Sequence, residues 1–298
     1  MGRRKFWTGK RLRQIAADLR KLKIHVSPNT VRRLLHEIDY TLHANVKSLS
    51  VSAKERDEQF NCIAHQRRRF CRCGLPIISV DTKKKELVGN FKNPGRVWSQ
   101  QALPVNDHDF RSQAFGMANP YGILELNSNR GSVFVGTSHD TPQFAAENIA
   151  RWWRYSGRKD YPDASKLLIL ADSGGSNGAR VRAWKYELYR QLVEPFGLKI
   201  TVCHYPTGAS KWNPIEHRFF SEISKHWAGQ PLDSYQTIQR LINETTTETG
   251  LEASAFIITK HYATGQKVSG QQMREIRMKH HSILPAWNYT ICPSGNRN

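Results

Sequence analysis

Three acidic residues stand where an α/β protein gathers functional side chains. Asp81 and Asp172 each follow a short apolar run, residues 76–80 and 167–171, that is typical of a buried strand. Glu216 stands at the start of a helix-forming segment. Strand C-terminal ends and adjacent helix starts are where α/β folds build their sites. The three carboxylates are therefore candidates for a single site.

Such a cluster has a specific chemistry. Carboxylates at close range repel one another and are tolerated mainly where divalent cations offset their charge. Two Mg²⁺ ions about 4 Å apart are the known means of displacing a phosphodiester in line. On a strongly basic chain, this combination indicates phosphodiester chemistry on a nucleic acid.

Each acid also fits an ordinary role. Asp81 and Asp172 match common loop residues, and Glu216 matches the third residue of a capping box that begins at Asn213. Against the capping role, Glu216 shares a helical stripe with the apolar residues Phe220, Ile223 and Trp227. That stripe predicts a carboxylate at the inward-facing start of a helix, and local sequence leaves both interpretations open.

The charge of the chain favours a nucleic-acid partner. Its 298 residues contain 45 Lys and Arg against 25 Asp and Glu, a formal charge of +20. Residues 1–74 contain 18 of these cations and 6 of the acids. A hydrophobic content of 39% excludes a disordered polycation. No apolar run is long enough for a membrane span or a secretion signal, so we expect a cytoplasmic, nucleoid-associated protein.

The N-terminal 50 residues predict a helix-turn-helix-like DNA-binding module. Apolar residues recur at helical spacing from Leu12 to Leu22 and again from Val31 to Ile38. Ser27 and Pro28 form a cap and first turn for the second helix, which presents Arg32 and Arg33 as DNA contacts. A plain helical hairpin is the alternative.

The rest of the chain predicts a mixed α/β sheet flanked by helices. Residues 51–74 predict a basic connector helix, capped by Ser52 with Glu55. From Leu75 the pattern indicates three strands, helix, strand, helix, strand, helix. We divide this part into a catalytic domain, residues 75–240, and a C-terminal extension, residues 241–298. The five scattered cysteines predict reduced thiols and no zinc site.

Several long strings carry a family resemblance. They are S-V-D-T-K-K-K-E-L-V-G-N-F-K-N-P-G-R-V-W, V-N-D-H-D-F, V-G-T-S-H-D-T, A-D-S-G-G-S-N-G and H-Y-P-T-G-A-S-K-W-N-P-I-E-H-R. With them the chain resembles bacterial insertion-sequence DDE transposases of the Rhodopirellula type, from about Arg11 to the W-N-Y-T-I stretch. The resemblance implies an RNase H-like fold and a metal-binding triad of Asp81, Asp172 and Glu216.

This resemblance also sets expectations for cofactor and partners. It implies two Mg²⁺ ions, with Mn²⁺ as a substitute, and double-stranded DNA as both transposon end and target. It implies a homodimer or larger oligomer on DNA. Lys83, Lys84 and Lys85 follow the first aspartate, and with Lys211 they are further candidate DNA contacts, a solvated strand end being the alternative for the first three.

Two rival functions remain at this point. One is an RNase H-like nuclease without strand joining, and the other is a catalytically inert DNA-binding regulator derived from a transposase. Members of the group usually carry further N-terminal sequence before the segment where this chain begins. We therefore expect recognition of transposon ends to be incomplete in this copy.

Overall fold

The computed structural model describes residues 8–43 and 52–295. The chain divides into two compact units, Met1–Ser48 and Leu49–Asn298. Among the described residues, no helix combines the length and apolar character that a bilayer crossing demands.

The first unit contains two helices joined by a short turn. α1 spans Leu12–Lys21 and α2 spans Pro28–Glu37. The Ser27 side chain accepts the Thr30 N–H, which confirms the predicted cap. Ala16 and Val31 are buried, whereas Leu22, Leu34 and Ile38 of the predicted apolar stripes are exposed, in a unit too small to cover them.

The second unit is built on one nine-stranded mixed sheet. In spatial order its main path is β7, β4, β3, β1, β5, β6, β9 and β8, and β2 pairs with β3. The strands are β1 Ile77–Thr82, β2 Glu86–Val88, β3 Gly116–Glu125, β4 Arg130–Gly136, β5 Lys166–Ala171, β6 Lys199–His204, β7 Glu252–Ile258, β8 Arg277–His280 and β9 Asn288–Cys292.

The central five strands define the fold. β4, β3 and β1 are antiparallel neighbours, and β5 and β6 continue from β1 in parallel. Three antiparallel strands followed by two parallel strands form the RNase H-like arrangement. The structure confirms the predicted α/β class, and it adds the short strand β2 to the three strands predicted before the first helix of this domain. Residues 241–298 extend this sheet, because β7 pairs with β4 and β9 pairs with β6.

Helices cover both faces of the sheet. The first face, with Ile78 and Val80, packs against α4 and α6 through a large apolar cluster. The opposite face, which we call the α3 face, packs against α3, α8 and α9. The helices are α3 Ala53–Arg72, α4 Pro142–Trp152, α5 Arg158–Asp160, α6 Arg182–Leu188, α7 Glu194–Phe196, α8 Ser221–His226, α9 Tyr235–Asn243 and α10 Gly270–Glu275.

α3 belongs to the packed body of the second unit. The predicted capping box is confirmed, with Ser52 accepting the Glu55 N–H and the Glu55 carboxylate accepting the Ser52 N–H. Ile63 and Phe70 are buried against the α3 face. The buried Gln59 amide donates to the His204 carbonyl at 2.7 Å. The segment predicted as a connector is therefore one of the layers that flank the sheet.

Candidate active site

Asp81 and Asp172 lie side by side at the same edge of the sheet. β1 and β5 pair in parallel, with Val80 opposite Ala171. The residue that follows each of these two is an aspartate. Paired strands lie about 4.8 Å apart, which places the two carboxylates within direct electrostatic range. The sequence predicted that the aspartates after the two apolar strands lie close together, and this register agrees with that prediction.

Glu216 reaches the same point from a helix on the α3 face. It opens the π-helical turn Glu216–Phe220, which continues into α8. Ile215 and Phe220 pack directly over Gly122, where a Cβ atom would collide with both side chains. Gly122 is the register partner of Asp81, so this close approach brings Glu216 to the first aspartate. Wide helical turns of this kind are frequent at functional sites.

The acids perturb one another strongly. Burial raises the pKa of Asp81 to about 8, and the negative charges of Asp172 and Glu216 add to the increase. Asp81 therefore keeps a proton at neutral pH that an isolated aspartate loses.

Asn213 links the elements of the site, a role that its sequence context does not reveal. It is fully buried, and its amide donates to the Asp172 carboxylate at 3.1 Å. Its Oδ1 accepts the Ser79 hydroxyl at 2.5 Å, and the Ser79 oxygen accepts the Ile215 N–H at 3.1 Å. The Asn213 side chain therefore faces the sheet and caps no helix, which removes the capping-box alternative for Glu216.

His204 fixes the backbone of the second aspartate. Its Nδ1 lies 2.8 Å from the Asp172 carbonyl and its Nε2 lies 3.1 Å from the Tyr289 hydroxyl. A carbonyl only accepts, so Nδ1 carries the proton and Tyr289 donates to Nε2. Burial lowers the pKa of His204 to about 4. The neutral imidazole ring therefore holds the backbone carbonyl of Asp172 in position.

We expect this histidine to limit stability in acid. Its pKa falls from 6.5 in the unfolded chain to about 4 in the folded protein. The stability it contributes is complete above pH 6.5 and is lost as pH falls toward 4, by up to about 1.4 kcal/mol per pH unit. Urea unfolding between pH 4.5 and 7.5 measures this slope. His204→Asn should flatten it by up to one proton, and an unchanged slope would contradict the assignment.

A fourth acid, Asp140, lies beside the site. Burial raises its pKa, and the hydroxyls of Thr82 and Ser176 are its near neighbours. The Oδ1 of Asp140 and both hydroxyl oxygens are buried and lack a hydrogen-bond partner among the described residues. Asp140 lies in the V-G-T-S-H-D-T string, but its position before the cap of α4 is that of an ordinary loop residue, so the sequence did not single it out.

The donor set fits a divalent cation. Asp81, Asp172 and Glu216 supply carboxylate oxygens, which are the ligands that Mg²⁺ prefers. A cation would replace the proton that Asp81 holds. Within residues 8–43 and 52–295, no group of three His, Cys, Asp or Glu side chains is arranged to hold a metal ion.

The predicted DNA-contact residues fall in different environments. Lys84, Lys85 and Lys211 are exposed, and the Lys211 ammonium lies 5.4 Å from the ring centre of the half-exposed Trp212. Lys83 is only 9% exposed, because its ammonium pairs with Glu86 at 3.0 Å and lies over the Trp227 ring. Its ammonium is thus engaged within the protein.

Arg32 and Arg33 lie on the exposed side of α2 in the first unit. Arg33 pairs with Glu37 at 2.6 Å, one helical turn further on. Surface pairs of this kind are weak and exchange readily for another anion. Both arginines remain predicted DNA contacts.

The comparison with protein families decides what the chain is. The model of the Rhodopirellula transposase DDE domain matches residues 3–293. The chain belongs to this transposase family. The match confirms the resemblance that the sequence motifs predicted. No curated protein matches the chain.

Solved structures of Mos1 transposase are similar to this transposase at low identity. The paired-end complex with the left transposon end has a TM-score of 0.44 at 15% identity. The mariner paired-end complex with Mn has a TM-score of 0.43 at 16% identity. In both comparisons 79% of this chain is covered, and this chain spans 66%, just under two thirds, of the Mos1 chain.

Proposed function

We propose that this transposase cleaves double-stranded DNA at transposon ends and joins the freed ends to target DNA. Asp81, Asp172 and Glu216 hold two Mg²⁺ ions in this reaction, and Mn²⁺ substitutes for them. The observation that supports the proposal is that Asp81 and Asp172 lie on paired strands, with Glu216 near enough to raise the pKa of Asp81, in a member of the transposase DDE family.

The protein side of the mechanism is positioning. Asn213 and His204 fix the side chain and the backbone of Asp172, so one metal ligand is held in a single orientation. Bound Mg²⁺ supplies charge stabilisation for the attacking and leaving oxygens and activates the nucleophile. Asp81 must release its proton before it can hold a cation, so we expect cleavage to increase with pH toward 8.

We propose DNA contacts on both units. In the first unit these are Arg32 and Arg33 of α2. In the second they are Lys84 and Lys85 after β1 and Lys211 before the site, all exposed cations that can neutralise phosphates. Lys83 is not among them, since its ammonium already pairs with Glu86. We also propose that a homodimer or larger assembly forms on paired ends.

The decisive experiment incubates the protein with DNA that carries the element's own ends, with Mg²⁺ or Mn²⁺, and maps the products. Cleavage at the ends followed by joining to target DNA supports transposition. Cleavage without joining would favour the nuclease alternative. Binding without any metal-dependent nicking would favour the inert regulator and overturn the proposal.

The first unit should supply much of the affinity for DNA. Deleting residues 1–48 leaves the packed helix α3 in place. This deletion should weaken duplex binding, because exposed cations are lost. The salt dependence should flatten by about 0.9 in log K per log unit of salt for each lost phosphate contact. Fluorescence anisotropy across a salt series measures both quantities. Equal affinity and slope in the shortened chain would place the binding elsewhere.

A paired substitution tests how this unit binds. Arg32→Ala with Arg33→Ala should lower affinity, and a base-reading role for either arginine predicts lower discrimination by about 1 to 3 kcal/mol. Loss that is uniform across sequences would assign both residues to phosphates.

A further inference from the structure

The outer surface of α3 carries an unusual set of cations. Arg67, Arg68, Arg69 and Arg72 are exposed within two helical turns. Among the described residues, none of the four forms an ion pair with a carboxylate. The acids of this helix, Glu55, Asp57 and Glu58, lie at its other end. The arginine charge therefore has no partner within the body that the structure describes.

Packing fixes these arginines in place. Gln59, Ile63 and Phe70 bury the inner side of α3 against the sheet, so the arginines face outward at a fixed spacing. Like charges one turn apart repel and weaken a helix. The helix dipole favours cations in the last turn, which accounts for Arg69 and Arg72 but not for Arg67 and Arg68. An external anion accounts for all four.

Three of these arginines line one of two adjoining hollows on the surface. The first, of about 570 Å³, is bordered by Arg67, Arg68 and Arg72 together with the turn residues Leu126 and Asn127.

The second hollow, of about 870 Å³, shares Leu126 and Asn127 with the first and continues past His217 and Arg218. His217 follows Glu216 in the sequence, whereas Leu126 and Asn127 come directly after β3, at the opposite end of β1 from Asp81. The acids of the second hollow are Glu222, which is neutralised by Lys225 at 2.7 Å, and Glu248. Basic side chains therefore line two adjoining hollows that lie toward the opposite edge of the sheet from the three acids.

We infer that these two hollows hold the phosphate backbone of duplex DNA that extends away from the cleavage site. The inference rests on the proposed function and adds a surface to it. The 20 residues of α3 span about 30 Å, the length of about nine base pairs. Arginine suits this role, because its guanidinium forms paired hydrogen bonds with phosphate oxygens.

The test compares two triple variants of the full chain. Arg67→Ala, Arg68→Ala and Arg72→Ala together remove three cations from the first hollow. Arg154→Ala, Arg158→Ala and Lys159→Ala remove three exposed cations beside α4, on the other face of the sheet. The probe is a labelled duplex that carries the element's end, followed by anisotropy from low to moderate salt. Thermal melting checks that both variants fold.

The α3 variant should bind at least about tenfold more weakly, with a salt slope lower by about 2.7 for three lost contacts. The control variant should change much less. Equal changes in the two variants would overturn the inference, because they would report net charge and not a defined surface.

A measurement on the parent protein covers the case in which the α3 variant fails to fold. Ethylation of single phosphates should block binding within about nine base pairs of the cleavage position, the length of α3. Free tolerance of ethylation there would overturn the inference. Cleavage that proceeds normally in that case leaves the proposed function intact, whereas lost cleavage with retained ethylation interference would refute the function and keep the surface.

Discussion

The Asp81→Asn, Asp172→Asn and Glu216→Gln variants will each lose DNA cleavage and strand transfer, while duplex binding stays within a few-fold of the parent. Each substitution removes a charged ligand from a cation that must stabilise attacking and leaving oxygens at once. Residues that act as one unit are not additive, so double variants should be no worse than single ones. Product mapping on denaturing gels and anisotropy separate the two effects.

When Mg²⁺ is left out, the variants that lose cleavage should gain stability. The pKa of Asp81 rises from 3.8 to about 8 on folding, so the folded protein holds a proton that the unfolded chain releases. That contribution to stability is complete below pH 3.8 and is lost as pH rises toward 8. Asp81→Asn removes this loss. At pH 8 it should raise the melting temperature, and a gain of about 2 kcal/mol corresponds to about 4 to 8 °C.

Added Mg²⁺ should stabilise the parent protein more than it stabilises the Asp81→Asn variant. Added Mg²⁺ should raise the melting temperature of the parent at pH 8 more than at pH 6, because binding competes with the proton on Asp81. The Asp81→Asn variant should respond less at both pH values. Differential scanning fluorimetry across both pH and Mg²⁺ concentration gives the complete comparison.

A matched control is an acid outside both the site and the two hollows. Glu244→Gln removes an exposed carboxylate, directly after α9, that pairs with Arg240 at 3.0 Å. This variant should cleave normally. If Glu216→Gln retained near-normal cleavage and lowered the melting temperature, the role of Glu216 would be structural and the triad would be wrong.

The sequence was informative where a local pattern determines a local structure. Short apolar runs predicted β1 and β5, and each run is followed directly by an aspartate. Parallel pairing then required the two acids to meet, which is a rule about sheets and needs no coordinates. The cap at Ser27 and the capping box at Ser52 were equally readable, because their bonds join residues three apart.

The site residues that the sequence did not reveal depend on distant contacts. Asn213 before a proline looks like a helix cap, and only the folded chain shows that it reaches Ser79 and Asp172. His204 ends an apolar strand, so its bond to the Asp172 carbonyl was equally hidden. The sequence of α3 has a basic, amphipathic pattern. The sheet against which α3 packs is formed by residues that follow it in the chain, so this local pattern does not identify the packing partner. The sequence pattern of a helix predicts which side is buried, whereas the topology of the sheet determines what that side packs against.

Asn213→Ala should be the most damaging single substitution outside the triad. The Asn213 side chain is fully buried, and its removal takes away the acceptor of the Ser79 hydroxyl proton and the amide donor to Asp172. Each buried hydrogen bond lost in this way costs about 1 to 3 kcal/mol, so we expect a loss of about 3 kcal/mol in unfolding free energy. Asp172 also loses its orientation, and misplacement by about 1 Å lowers a catalytic rate by about 100-fold.

Two comparisons distinguish positioning from general destabilisation. Asn93 also donates its amide to two carbonyls, those of Trp227 and Gln230, but holds a loop away from the acids. Asn93→Ala should lower the melting temperature while cleavage at a permissive temperature stays near the parent rate. Ser79→Ala combined with Asn213→Ala should cost less than the sum of the two, because both remove the same hydrogen bond. Additive costs, or equal loss of cleavage in Asn93→Ala and Asn213→Ala, would mean that Asn213 only stabilises the fold. A selective loss of cleavage in Asn213→Ala would show that the orientation of Asp172, and not only its charge, is required.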